Sequence, residues 1–190
     1  SKLSSKKIKV FNYALSSFNG EKKFCQYKYL SGKTNSFYPM VENSKYKIQR
    51  TKNNDETESI TNVKVKKLDT FLEEYKISNI DLLKIDTQGA EIEILKGAEN
   101  ILNLKKINVI ELEYILGIAH EFRSSLYEIE EVLHKNDYKL IAIEHSDNII
   151  SVSNYQTNLI YVKDKIFDKI KQFHESNIDV KNITHKVNHY

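Results

Sequence analysis

The sequence predicts a mixed α/β domain, with helices packed on both faces of a mostly parallel sheet. Three observations carry that expectation. Strand-like and helix-like periodicities alternate from Thr61 to Val162. A near-continuous apolar run, Ile80 to Ile85, ends in Asp86 and is followed by Gly89 and a helical stripe; a central parallel strand handing over to a helix has this form. Two capping-box patterns, Thr70-Phe71-Leu72-Glu73 and Ser125-Leu126-Tyr127-Glu128, mark helix starts.

In chain order, Ile8 to Leu15 is β-branched and aromatic and reads as a strand. Asn19-Gly20 is a turn dipeptide, and Phe24 to Leu30 alternates as a second strand, so the pair predicts a hairpin. Residues from Ser31 to Thr61 are polar and weakly periodic and read as a long loop, a surface insertion or a functional one. Val63 and Val65 alternate with lysines in a half-exposed strand. The Thr70 box opens a short helix to about Lys76, and Ile80 to Ile85 is the central strand. Ile94, Leu95, Ala98, Ile101 and Leu102 form one buried helical stripe, which Gly97 either breaks or lets pack closely. Ile107 to Leu112 is the next strand. The Ser125 box opens a helix burying Leu126, Ile129, Val132 and Leu133, stopped by Asn136-Asp137. Tyr138 to Glu144 and Thr157 to Val162 are the last strands, and Lys165 to Phe173 a last helix before a polar, frayed end. The organisation predicted is one domain over residues 1–164, then a C-terminal helix and tail over 165–190.

Composition narrows the function classes. Of the 190 residues, 40% are hydrophobic and 29% charged, ordinary for a soluble domain. A net charge of +3, spread over scattered lysines, argues against nucleic acid as partner. The one cysteine, Cys25, lies among strand residues without a nearby histidine, so it reads as a small hydrophobe rather than a nucleophile. No apolar run approaches the ~20 residues of a membrane span, and a cytoplasmic location is expected.

The candidate chemistry gathers around Asp86. An acid beyond the carboxyl end of a strand is where open α/β sheets bind ligands, although aspartate also caps helices. Gly89 permits close backbone approach, to a ligand or for strand-to-helix packing. Glu91 and Glu93 fall in a first helical turn, where negative charge complements the dipole. Glu111 and Glu113 share a face at the end of the following strand, where either could serve as base or substrate ligand. His120 is the neutral-pH base by residue type. With one histidine in this group, no metal site is expected. His174, His185 and His189 match no compact metal motif.

The order of short motifs from Val63 onward resembles the FkbM family of S-adenosylmethionine-dependent methyltransferases. The residues that carry it are Lys67-Leu68-Asp69, then Ile80-Asp81-Leu82-Leu83-Lys84-Ile85-Asp86, Gly89-Ala90-Glu91, Leu95-Lys96-Gly97-Ala98, and Ile110-Glu111-Leu112-Glu113. Gln88 stands where the family commonly has glutamate, and Asn136-Asp137 where it commonly has glycine. The resemblance implies a Rossmann-like class I methyltransferase sheet, mostly parallel, with an antiparallel last strand. It also implies methylation of a hydroxyl on a small molecule or sugar. On this reading Asp86, Glu113 and His120 are catalytic, Asp86 and Gly89 contact the cofactor, and Glu91 and Glu111 face the substrate. The family holds S-adenosylmethionine with a glycine-rich loop after its first strand. The five glycines, Gly20, Gly32, Gly89, Gly97 and Gly117, are too dispersed to form one. Ile8 to Leu15 would then be the third strand of a sheet truncated at its N-terminus, and binding of the cofactor by this chain alone is not expected. The alternative is a non-catalytic binding or scaffold module of the same fold. A nucleotide-binding enzyme of another kind is disfavoured, because no phosphate-cradling G-x-x-x-x-G-K-[ST] occurs.

Overall fold

The computed structural model describes residues 8–27, 34–42, 58–115, 120–145 and 156–177. Most of the expected 31–61 loop, Gly32, Gly117, His185 and His189 lie outside them.

Two sheets organise the chain. The first holds β1 (Ala14–Leu15), β2 (Gly20–Tyr27) and β3 (Glu58–Lys66) in the order β1-β3-β2. The second holds β4 (Ile80–Ile85), β5 (Ile107–Ile115), β6 (Tyr138–His145) and β7 (Gln156–Lys163) in the order β4-β5-β7-β6. In it β4 and β5 run parallel, and β7 runs antiparallel to both its neighbours. The helices are α1 (Leu68–Glu74), α2 (Glu91–Lys96), α3 (Glu99–Asn103), α4 (Leu126–Lys135) and α5 (Asp164–Asn177). The architecture is mixed α/β, as the alternation predicts, but the expected mostly parallel sheet is not what the described strands form: in the second sheet only β4 and β5 pair parallel.

The main core lies between the second sheet and helices α1 to α4. Leu83, Ile85, Ile110, Leu112, Leu159 and Tyr161 from the strands meet Ile92, Leu95, Leu102, Ile129 and Leu133 from the helices. The buried tyrosines keep their hydroxyls bonded: Tyr138 donates to the Ile107 carbonyl at 3.0 Å and Tyr161 to Glu130 at 2.6 Å. Such partners remove the penalty of burying a hydroxyl. Helix α5 packs on β6 and β7.

Five local expectations are corrected. Only Ala14–Leu15 of the first apolar segment is a strand; Ile8 and Val10 are 91% and 90% exposed. Intrinsic β propensity makes no strand without a partner, and the ladder begins where Val65 lies opposite Ala14. The expected hairpin is absent as well, because β2 takes β3 as its antiparallel partner, with Gly20 opposite Val65 and Tyr27 opposite Glu58. The Thr70 box does not form: α1 starts at Leu68, and Asn19 spans its first turn, accepting from Lys67 N at 2.8 Å and donating to Thr70 Oγ1 at 3.1 Å. Ser125 does sit at the N-cap of α4, but without a side-chain cap bond, and Leu126 is 38% exposed.

The fifth correction bears on the site. Among the described residues β4 pairs only with β5, so it is an edge strand rather than a central one. One of its faces is also uncovered: Leu83 and Ile85 are buried while Leu82 is 54% exposed. Leu82 and Lys84 lie on the uncovered face, opposite Leu83 and Ile85.

The stripe from Ile94 to Leu102 is buried as expected, but on two short helices that break at Gly97-Ala98. Gly97 also packs closely: a Cβ there would lie 2.1 Å from the Ser16 carbonyl oxygen. The prediction is that Gly97→Ala destabilises the fold by about 1–3 kcal/mol through overpacking against main chain. Urea unfolding at neutral pH checks it, and an unchanged midpoint would show that the Ser16 segment yields freely.

Candidate functional site

The site is assembled where β4 and β5 end and the chain turns into α2. Parallel register sets Lys84 opposite Glu111 and Ile85 opposite Leu112. One step further, Asp86 and Glu113 therefore come together, with their carboxyls within hydrogen-bonding reach. Lys84 forms an ion pair with Glu111, and that bond raises the lysine above its ordinary value against the effect of burial. Glu111 is thereby engaged by a cation on the neighbouring strand.

Asp86 is exposed and lines a cleft of about 310 Å³ between the two sheets. Leu83, Ile85, Ile94, Phe37 and Leu15 give this cleft an apolar wall, and Thr87 and Asn35 add polar groups. The volume lies at the lower end of the usual range for small-molecule sites.

Glu113 is pushed up to about 7, first by burial and then by the charge and hydrogen bond of Asp86, with a smaller contribution from Glu91. Gln88 acts in the opposite sense, donating from Nε2 to Glu113 Oε2 at 2.6 Å and reaching Asp86 Oδ1 at 3.4 Å. Two carboxyls this close cannot both ionise without cost, so one retains a proton near neutrality.

The turn between strand and helix is held by Glu91, which is 3% exposed. Its Oε1 accepts from Gly89 N at 3.0 Å and Thr87 Oγ1 at 3.1 Å, and its Oε2 from Ser124 Oγ at 3.1 Å. Ser124 Oγ in turn accepts from Ile92 N at 2.9 Å. Glu91 is thus occupied by internal donors. Gly89 has φ +113°, and a Cβ there would lie 2.9 Å from the Phe122 carbonyl oxygen. Its bare side accommodates the 122–123 backbone.

His120 is 5% exposed, and its Nδ1–H donates to the Tyr38 carbonyl at 3.0 Å. Burial holds the imidazole below its ordinary value, against the backbone bonds with Tyr38 and Pro39. With the bridge between Met40 and His120, the ring fastens the 38–40 segment. The structure thus brings Asp86, Glu111 and Glu113 together at one strand end, puts Gly89 and Glu91 in the turn beside them, and engages His120 with Tyr38.

Sequence reasoning assigned Glu93 only to the helix dipole. The structure makes it a junction: Ser16 Oγ donates to its Oε2 at 2.8 Å, and Lys22 and Tyr38 both donate to its Oε1. Burial alone would raise this carboxyl, but the three bonds hold it below its ordinary value. Burial and the bond to Glu93 together push the Tyr38 phenol well above its usual range. Lys22 also lies 4.6 Å from the Phe37 ring centroid. The sequence marks Gln88 only by a missing charge; the signal of its role is its place between Asp86 and Glu91. Among the described residues no group of three or more His, Cys, Asp or Glu side chains could hold a metal ion. No helix among them is long and apolar enough to cross a membrane.

Against this geometry, the family model described as the methyltransferase FkbM domain matches residues 1–140. The chain belongs to the FkbM methyltransferase family. The matched region includes Asp86, Gln88, Glu91 and Glu113, so the carboxylate pair and its turn are parts of the FkbM domain. No curated protein and no solved structure matches the chain.

Two outcomes are expected. Glu113 has its folded pKa, about 7, above its ordinary value of 4.5, so between these values the folded protein keeps a proton that the unfolded chain releases. Stability therefore falls as pH rises through that window and levels off above it. Glu113→Gln should gain on the parent between pH 5 and pH 8 in urea titrations; a constant difference would show that Glu113 titrates normally. Glu91→Ala strands the donors of Thr87 and Gly89 and leaves the Ser124 hydroxyl to the Gly89 carbonyl, 3.0 Å away. It should cost about 2 kcal/mol or more, summed over the two stranded donors, and differential scanning calorimetry would read it as a lowered Tm.

Proposed function

We propose that this chain carries part or all of an S-adenosylmethionine-dependent O-methyltransferase site acting on a hydroxyl of a small molecule or glycan. The observation that carries the reading is the Asp86–Glu113 pair at the strand ends, within a domain of the FkbM methyltransferase family. The strand order β4-β5-β7-β6, with β7 antiparallel, supports placing the second sheet in a Rossmann-like methyltransferase fold.

The described residues fit one flank of the donor. Phe37, Ile85 and Ile94 offer an apolar wall, and the Asp86 carboxylate offers a counter-charge for a sulfonium or a partner for ribose hydroxyls. A cradle of closely spaced glycines is not found among these residues, and Gly89 turns its bare side to Phe122. Asp86 and the wall would therefore hold part of the donor, not all of it.

When bound, S-adenosylmethionine supplies an electrophilic methyl group, and its transfer to oxygen frees the acceptor's hydroxyl proton. Glu113, poised near neutrality, accepts that proton on its carboxylate. Asp86 orients the reactants from the cleft rim, and the Lys84–Glu111 pair shields Glu113 from a third free anion.

The test is methyl-labelled S-adenosylmethionine incubated with the complete gene product and a panel of alcohols and sugars. The expected product is a methyl ether, and Asp86→Ala should lower turnover about 100-fold with little change in Tm. Parallel loss of turnover and Tm would make Asp86 a structural residue. Donor binding without any methyl ether, or no donor binding at all, would favour the non-catalytic module.

A further inference from the structure

Gln88 is held in its conformation by buried neighbours. Its φ is +55°, in the left-handed region that side-chain-bearing residues rarely occupy. Its carbonyl accepts a 2.8 Å hydrogen bond from Ser36 Oγ, and Ser36 is 1% exposed. The next residue, Gly89, gives its N–H to Glu91, so the peptide is fastened on both sides. A strained conformation held by buried partners is a common mark of a functional position. Here it delivers one amide nitrogen to both carboxyls, at 2.6 Å from Glu113 and 3.4 Å from Asp86.

We propose that Gln88 is a positioning residue of this site, whose amide aims the Glu113 carboxylate and keeps it available as a proton acceptor. The proposal rests on the methyl-transfer reading above, and it deepens that reading by naming what controls the base. An N–H donor stabilises the ionised carboxylate and offers nothing comparable to the protonated form. The groups facing Glu113 are Asp86 from the end of β4, Glu91 from α2, and Lys84 from β4, with uncharged Asn158 opposite it on β7. Among these, Asp86 and Glu91 disfavour ionisation, and Lys84 is already paired with Glu111. The Gln88 amide is the neutral donor that counters them. A glutamate at this position would bring a third carboxylate and no donor.

The experiment follows the Glu113 side chain by carbon-13 NMR of glutamate-labelled protein between pH 4 and 9, with Glu113→Gln assigning the signal. Gln88→Met keeps length and the main-chain clamp but removes the donor. Its Glu113 midpoint should rise by about one pH unit or more, and Gln88→Glu should raise it at least as far. Should Gln88→Met fail to fold, Gln88→Glu alone carries the comparison. A midpoint within about 0.2 of the parent's would overturn the proposal, because a merely structural glutamine leaves the titration in place. Where turnover is measurable, the acid limb of its pH profile should move with the NMR midpoint. A shifted midpoint without any methyl transfer would sink the catalytic reading, whereas an unshifted midpoint with normal transfer would sink only the role of Gln88.

Discussion

The turn from Asp86 to Glu91 is the constraint on which the rest of the site depends, and one buried carboxylate closes it. Glu91 gathers the Gly89 amide, the Thr87 hydroxyl and the Ser124 hydroxyl. Those bonds fix two residues in sparsely populated conformations, Gln88 at φ +55° and Gly89 at φ +113°. Charge-assisted bonds are stronger than neutral ones, which suits them to hold a strained turn. With the turn set, the Gln88 amide faces Glu113, and the bare face of Gly89 receives the 122–123 backbone.

Glu91 and Glu93 are two residues apart in the same first turn of α2, yet they do different work. Glu91 binds its own turn to Ser124. Glu93 faces the other sheet and joins Ser16 after β1, Lys22 on β2 and Tyr38 to the helix. The cleft beside Asp86 has walls from both sheets, including Leu15 and Phe37 on one side and Ile85 on the other. Glu93 therefore spans the junction that gives the cleft its second wall. Gly97 serves the same junction by letting Ser16 approach the helix.

Much of this was legible because it is local. Period-two and helical patterns located the strands of the second sheet and the buried stripes of α2, α3 and α4. Strand parity put Glu111 and Glu113 on one face beside Asp86, and the register confirms that placement. What the pattern could not supply was partnership. Ile8 to Leu15 has strand composition, but a ladder requires a neighbour, and only Ala14–Leu15 finds one. Asn19-Gly20 turns the chain, yet β2 pairs with a strand some forty residues on. An apolar run such as Ile80–Ile85 cannot by itself tell a central strand from an edge. The Thr70 box failed because Asn19, distant in sequence, supplies the competing contacts. The roles of Gln88, Ser36 and Tyr38 depend on long-range contacts of this same kind.

The ladder between β4 and β5 offers an internal comparison that bears on function. At Lys84 and Glu111 adjacent strands present opposite charges, an arrangement that stabilises a sheet. Two residues later, on the same face and in the same register, the pair is Asp86 and Glu113, which destabilises it. Replacing either acid with a neutral residue would relieve the repulsion without disturbing the core, since Asp86 is exposed and Glu113 only half-buried. Structural ion-pair networks also shift pKa values, so perturbation alone does not mark a site. A like-charged pair with Asp86 on a cleft, beside a cation–anion pair that shows the stable alternative, with a strained glutamine supplying its donor, is difficult to explain as scaffolding. Positions that break a local rule without a compensating gain in packing are where chemistry is expected.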